Sequence, residues 1–326
     1  MAAQFVLVRL GNIDRLDLSV FDFDYDLTFE VFLMNADGRV YARYGQRNAR
    51  GPDALQSLKG LEYAMQSALE MHRRDGSAQE FAPRIRERSV TISEIGGRTR
   101  RCYHCHNVRE VLNRELVRSV KWDREQAYRF PPTENVGLSL EVDRGNVVAK
   151  VQDGSPAGRA GLKKGDVLRR LNGVPVHSIA DALYGLELAP GSETAKAAWT
   201  RGSESMSGKL VLRSGWRKSD LTWRPSMWHM LPSLLVRGSD LTAAEKASLG
   251  LKPDQLAVRQ RAPVGEMKAA GVRAGDILVG IDKELVGLDR EGFCEFVFRE
   301  YLVGDRVQLI VLRDGKRLTL PLVLSR

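Results

Sequence analysis

A repeat in the second half of the chain is the sequence feature that most constrains the fold. The stretch Ala160–Leu168 reads Ala-Gly-Leu-Lys-Lys-Gly-Asp-Val-Leu, and Ala270–Leu278 reads Ala-Gly-Val-Arg-Ala-Gly-Asp-Ile-Leu. A related tripeptide precedes each stretch, Ser155–Ala157 in the first copy and Ala262–Val264 in the second. Self-similarity of this kind indicates two copies of one structural module.

Each copy reads as a strand, a short helix, a glycine-containing turn, a second strand and a longer helix. We expect the turn glycines to have positive φ, and Asp166 and Asp276 to accept hydrogen bonds from the local backbone. The order and the Ala-Gly-x-x-x-Gly-Asp turn resemble a PDZ domain of the bacterial type, over Val136–Leu212 and Leu234–Leu324. The resemblance implies two partly open β-barrels with helices.

PDZ domains bind extended peptides by strand addition and hold the terminal carboxylate with loop N–H groups. In the first copy the resemblance assigns the carboxylate-binding loop to Val136, Gly137, Leu138, Ser139 and Leu140. The predicted loop of the second copy consists of Ser248, Leu249, Gly250 and Leu251. A helix over Ser178–Leu188 is predicted to face the first loop. Alternatively, both modules pack internally or on a partner domain and bind no peptide.

A second motif, Cys102-Tyr103-His104-Cys105-His106, contains two of the three cysteines. C-x-x-C-H is the attachment signature of c-type haem. Two thiols one helical turn apart can each bond to a vinyl group of one porphyrin, and the next residue is then the proximal ligand of the iron. The motif therefore predicts haem c attached at Cys102 and Cys105, with His106 on the iron, at the start of a helix that runs to Val120.

Other uses of these two cysteines stay open. A C-x-x-C pair also suits thiol–disulfide exchange. A zinc ion could use both thiols with His104 or His106, but a closed site has four ligands and the chain has no second pair at that spacing. The pair could also be inert.

The first 76 residues show a different pattern. Phe5–Leu10 reads as a buried strand, and the alternation of aromatic and acidic residues over Phe21–Asp26 predicts a half-buried edge strand. Thr28–Met34 and Arg39–Tyr44 are predicted to form a hairpin around an Asn-Ala-Asp-Gly turn. Asp53–Arg73 has apolar residues at helical spacing.

This order of strand, loop, hairpin and helix resembles the C-terminal half of a thioredoxin fold. The redox motif of that family precedes the part that the chain resembles, and the place of its cis-proline is taken by Tyr25–Thr28, which contains no proline. We therefore expect the unit to lack its N-terminal part and to be unable to exchange disulfides.

The predicted fold class is α+β with several domains. The predicted divisions are a thioredoxin-like unit (1–76), a helical linker with the C-x-x-C-H motif (77–130), a first PDZ domain (131–216), a Trp-rich connector (217–232) and a second PDZ domain (233–326). This arrangement resembles a bacterial family of thioredoxin-like/PDZ proteins, some members of which carry selenocysteine.

Composition excludes several classes of function. The net charge of +9 is spread along the chain, and its densest part, 84–101, has no interleaved aromatic residues, which argues against nucleic-acid binding. No apolar run is long enough to span a membrane. The chain has no G-x-S-x-G, H-E-x-x-H or phosphate-loop motif, so no catalytic residue is predicted.

The sequence thus predicts a protein of the periplasm or cell envelope that binds peptide or protein C-termini and carries one haem. The alternative is a thiol- or selenol-dependent oxidoreductase with a redox partner, whose active-site motif is absent from this chain. A third possibility is a scaffold in which neither module binds peptide.

Overall fold

The computed structural model describes residues 1–10, 17–18, 20–74, 105–119, 121–189 and 194–326. They form two compact units. The first consists of Met1–Ser219 with Trp223–Ser226, and the second of Asp220–Thr222 with Met227–Arg326. Each unit contains one copy of the sequence repeat.

The N-terminal part of the first unit contains the predicted hairpin. Strands β1 (Val31–Met34) and β2 (Val40–Tyr44) pair antiparallel. The Asn35 side chain accepts hydrogen bonds from the backbone N–H groups of residues 37 and 39, and Gly38 has φ +83°. Helix α1 (Leu58–Arg74) packs on the hairpin, but it begins five residues later than predicted. The local turn chemistry was therefore sufficient to locate the hairpin.

Two predicted strands are wrong. Residues 6–10 are irregular after a short 3₁₀ turn at Ala2–Gln4, and the side chains of Val6, Leu7 and Val8 are at least 75% exposed. The stretch Phe21–Asp26 forms turns and bends, in which acidic and aromatic residues are both buried. Of the thioredoxin-like pattern, the structure contains the hairpin and the helix. The thioredoxin-like assignment stays a prediction.

Helix α2 (Cys105–Arg118) confirms the predicted helical segment for its described part. Val108, on its first turns, is fully buried against a cluster of Leu18, Phe23, Tyr25 and Leu27. The N-terminal segment and α2 therefore share one small core.

The first repeat copy follows. Its strands are β3 (Leu138–Leu140), β4 (Val148–Val151), β5 (Val167–Leu171), β6 (Val174–Pro175), β7 (Thr194–Arg201) and β8 (Glu204–Val211). Its helices are α3 (Pro156–Arg159) and α4 (Ile179–Glu187). One sheet has the order β6-β5-β7-β8, and β3 pairs with β4 beside it. The predicted helix over 178–188 is confirmed, with Ser178 as its N-cap.

The second unit repeats this order. Its strands are β9 (Gly238–Asp240), β10 (Val258–Gln260), β11 (Ile277–Ile281), β12 (Lys283–Glu284), β13 (Arg306–Arg313) and β14 (Lys316–Val323). Its helices are α5 (Ala243–Ser248), α6 (Gly265–Ala269) and α7 (Arg290–Glu300). The sheet order is β14-β13-β11-β10-β9, with β12 on β11. Element by element, β9 corresponds to β3, α7 corresponds to α4, and α5 is an insertion.

Polar contacts at the repeated turn are the same in both units. Asp166 accepts from the Lys163 N–H at 2.8 Å and from two guanidinium nitrogens of Arg201, each at 2.8 Å. Asp276 accepts from the Arg273 N–H at 2.8 Å and from Arg313 at 2.8 and 2.7 Å. The predicted backbone hydrogen bonds of both aspartates are confirmed, and each aspartate also has an arginine partner.

Candidate binding grooves

The first groove begins at a 3₁₀ turn, Thr133–Val136, that leads into Gly137 and β3. Gly137 has φ +81°, and a Cβ there would lie 2.2 Å from Ser155 Oγ, so only glycine fits. Its carbonyl accepts from Gln152 N–H at 2.9 Å, and its own N–H donates to Glu134 O at 2.9 Å. The predicted loop residues 136–140 are thus contiguous at the start of the edge strand, but the Gly137 N–H already has a partner.

Strand β3 pairs with β4 and with no other strand of the described residues. Hydrogen-bonded pairs alternate along an antiparallel ladder. Because Gly137 O bonds to residue 152 and the Glu141 N–H bonds to Val147 O, the backbone groups of Leu138 and Leu140 point to the other edge. This is the edge to which a peptide strand would add.

Helix α4 faces this edge. Ala182 and Leu186 are fully buried in the core that also contains Leu138. At the end of the helix, Glu187 accepts from Arg129 Nε at 2.5 Å, from the Phe130 N–H at 2.9 Å and from Arg217 Nη1 at 2.7 Å. Burial alone would raise the pKa of Glu187, but the two arginines hold it below its usual range. Glu187 therefore fixes the segment that leads into the 3₁₀ turn.

The second groove differs from the sequence prediction. Ser248, Leu249, Gly250 and Leu251 lie at the end of α5, after the edge strand β9, and not before it. Gly250 has φ +69°, and the Leu251 N–H donates to Lys246 O at 2.9 Å, which is the geometry of a helix C-cap. The prediction for these four residues is wrong because the inserted α5 lengthens the interval between the edge strand and the repeated turn.

The loop that precedes β9 in the structure is 234–237. The Cys294 thiol, on α7, donates to Leu234 O at 3.6 Å, and the Arg290 N–H donates to Asp240 Oδ1 at 2.8 Å. Strand β9 pairs with β10 and with no further strand in the described parts of the chain. A groove between β9 and α7 thus corresponds to the one between β3 and α4. The sequence could have shown that the second loop is 234–237 if the two repeat copies had been aligned upstream of the shared turn. That alignment requires α5 to be identified as an insertion.

The C-x-x-C-H motif is only partly described. Cys102 and His104 lie outside the described residues. Cys105 is half-buried and packs against the cluster of Leu18, Phe23, Tyr25 and Leu27, and burial raises the pKa of its thiol. His106 Nδ1 lies 3.8 Å from Glu110 Oε1. A raised pKa keeps the thiol protonated, which disfavours a reactive thiolate.

The described part of the motif supplies one thiol and one imidazole, and the thiol packs against side chains of the protein. Haem attachment stays a prediction. Within the described ranges, no group of three or more His, Cys, Asp and Glu side chains could hold a metal ion. No helix in the same ranges is long and apolar enough to cross a membrane.

Comparison with known families identifies one domain of the chain. Residues 147–195 match the PDZ domain family. The match covers β4 to the start of β7 in the first unit, so the chain contains at least one PDZ domain. The second unit repeats the order of strands and helices of this domain, with α5 inserted.

Particular relatives are bacterial proteins. The chain is 29% identical over 184 residues to a probable periplasmic serine endoprotease DegP-like of Pseudomonas putida (strain GB-1), covering 55% of this chain and 37% of that protein. It is 25% identical over 151 residues to the periplasmic pH-dependent serine endoprotease DegQ of Escherichia coli (strain K12), covering 46% and 30%. The chain thus spans 37% and 30% of the length of these two relatives.

Similar solved structures include an HtrA-type protease AlgW with decapeptide, at 15% identity and a TM-score of 0.26, which covers 55% of this chain and 54% of that chain. Another is the serine endoprotease from Yersinia pestis, at 20% identity and a TM-score of 0.21, which covers 24% and 28%.

Proposed function

We propose that this protein binds the C-termini of extended peptides by strand addition, in the periplasm or cell envelope, and that its second unit is a second PDZ domain. The observation that carries this proposal is the edge strand beside a helix that recurs in both units. The match to the PDZ domain family and the partial similarity to periplasmic proteases support it.

Strand addition supplies affinity through the main chain and specificity through side chains. A peptide antiparallel to β9 would exchange hydrogen bonds with the backbone of 238–240. Its terminal carboxylate would lie at the loop 234–237, and alternate side chains would point between β9 and α7. This mode would select a free carboxylate and an apolar last residue, since the exposed Leu235 precedes β9 and the half-buried Cys294 of α7 lies against the Leu234 carbonyl.

The proposal is tested by fluorescence anisotropy of the full chain with a library of C-terminal peptides and the same peptides amidated. Leu235 lies in the loop before β9 and is 52% exposed, so Leu235→Asp adds a negative charge at little cost to folding. We expect this variant to weaken binding at the second groove at least about tenfold, the effect of a like charge worth about 1.4 kcal/mol.

Val323→Asp is the matched control, because Val323 is 53% exposed on β14, at the far edge of the sheet from β9. This variant should bind like the wild type. The proposal fails if no peptide binds to the folded chain, or if amidated peptides bind as tightly as free ones.

A further inference from the structure

The two corresponding helices differ sharply in exposure. In α4, seven of the nine residues are buried, whereas in α7 only two of eleven are. The edge strands differ in the same way: Leu138 and Leu140 of β3 are buried, and no residue of β9 is. The amino-acid sequences are consistent with this difference in exposure, since α4 is mostly apolar and α7 contains two arginines and three glutamates. Part of this burial comes from the core of the domain itself, and part comes from contacts with the preceding residues of the first unit.

The covering element over α4 is the end of β2. The Arg43 N–H donates to Asp181 Oδ1 at 2.9 Å, and Ser178 Oγ donates to Arg43 O. The Arg43 guanidinium lies 3.7 Å from the centroid of the Tyr184 ring. Backbone and side chain of Arg43 are thus both bound to the first turns of α4.

The segment after β2 covers the gap between α4 and the end of β3. Leu55 packs against the apolar core of the PDZ domain, and it lines one small cavity together with Tyr44, Val142 and Ile179. A Cβ on Gly60 would lie 2.5 Å from Val142 O, so the first turn of α1 lies directly on the chain that leaves β3.

A hydrogen bond also joins the start of α1 to the chain that leaves β3. Ser57 Oγ donates to Asp143 Oδ1 at 2.7 Å, and Ser57 is also the side chain that accepts from the Gly60 N–H at the start of α1. A peptide antiparallel to β3, with its C-terminus at Gly137, would run past Leu140 towards Val142. Its upstream residues would meet Leu55 and Tyr44.

We propose that residues 43–60 are a built-in cover of the first groove, so that the wild-type chain binds peptide only at the second groove until this cover is displaced. The inference rests on the proposed function, because it assigns that function to one groove and a regulatory contact to the other. The occupant of the first groove is a segment of the same chain, present in the structure.

The test uses a variant that releases the cover and keeps the fold. Ser57→Asp preserves the N-cap of α1, because Asp caps as well as Ser, but it places a carboxylate against Asp143. Combined with Leu55→Ser, it removes the apolar and the polar contact together. Ser57→Asn with Leu55 intact is the matched control, since Asn also caps and carries no charge.

Isothermal titration with the best peptide from the library should give one site in the wild type and two in the double variant. In a Leu235→Asp background, the chain with its cover intact should retain only the weakened second site, and the double variant should add one site of unweakened affinity. The inference is overturned if the Leu235→Asp chain with its cover intact still binds peptide at the first groove, or if the folded double variant gains no site. Absence of binding in every variant would instead refute the proposed function.

Hydrogen exchange of the wild type gives a second readout that needs no variant. Saturating peptide should leave the amides of residues 43–60 as protected as before. Loss of their protection on peptide binding would show that the first groove is accessible and would contradict the inference.

Discussion

At the scale of single residues, the repeated aspartate is the best example of chemistry that the sequence discloses in part. The hydrogen bond from the Lys163 N–H to Asp166 spans three residues and follows from turn chemistry. The bonds from Arg201 span 35 residues and have no local signal. Only the fold, which pairs β5 with β7, brings the guanidinium to the carboxylate.

These bonds predict an acid-sensitive contribution to stability. Burial would raise the pKa of Asp166, but the bonds from Arg201 and Lys163 outweigh it, and the net shift is downward; Asp276 shows the same. A lowered carboxyl pKa stabilises the fold above the unfolded-state value, and this contribution is lost as the pH falls through the folded value.

Asp166→Asn should therefore lower the free energy of unfolding by about 1–3 kcal/mol at pH 7, as measured by urea titration, and the difference should shrink as the pH falls towards 3. Asp153→Asn, at an exposed position in the same unit, is the control and should be neutral. An equal loss at both pH values would contradict the assigned role.

The haem prediction also belongs to single residues. Exported and co-expressed with c-type haem maturation machinery, the protein should retain haem mass after denaturation, and Cys105→Ala should reduce it. Cys294→Ala removes the other described thiol, which is also partly buried, and should leave the haem content unchanged. Absence of added mass, where a control cytochrome matures, would leave the pair with a thiol or metal role.

At the scale of elements, local patterns predicted what local interactions decide. The β1–β2 hairpin, α2 and α4 follow from turn residues, apolar spacing and a serine cap. The predicted buried strand at Phe5–Leu10 is wrong because an apolar run forms a strand only beside a partner strand, and the described structure offers none there. The second binding loop failed because Ser-Leu-Gly-Leu serves equally as a helix C-cap.

A comparison of two glycines separates the cost of a left-handed backbone from the cost of a steric contact. Gly137 and Gly250 both have positive φ, but a Cβ on Gly250 meets nothing within 4 Å, whereas one on Gly137 lies 2.2 Å from Ser155. Gly250→Ala should cost about 1 kcal/mol, the usual penalty of a side chain in this conformation. Gly137→Ala should cost clearly more, as measured by urea unfolding. Equal costs would mean that the Ser155 contact relaxes freely.

At the scale of the whole molecule, the chain after the first PDZ domain folds back onto the first unit. Arg224 Nη1 lies 2.6 Å from Asp24 Oδ1 and 3.4 Å from Asp26 Oδ2, and Ser226 Oγ donates to Asp26 at 2.6 Å. Asp24 and Asp26, which the sequence places in a half-buried edge strand, are thus buried partners of an arginine about 200 positions away. No pattern within the segment could have shown this.

Arg224→Ala should destabilise the first unit by about 3–5 kcal/mol, because it leaves two carboxylates buried without their cation. Burial already raises the pKa of Asp24 against the effect of Arg224, so the loss should diminish at acidic pH, where the carboxyl is protonated. Arg213→Ala, at an exposed position, is the matched control. Thermal melts of each variant at neutral and acidic pH measure this loss of stability and its pH dependence.

The proposed function requires that peptides add as a strand to the open edge of the second unit. Amide-resolved NMR of the full chain, with and without a bound C-terminal peptide, detects this addition. Strand addition should slow hydrogen exchange and cause large shifts at Gly238–Asp240 and in the loop 234–237, with β14 unaffected. Peptide binding that leaves the amides of β9 unchanged would contradict it.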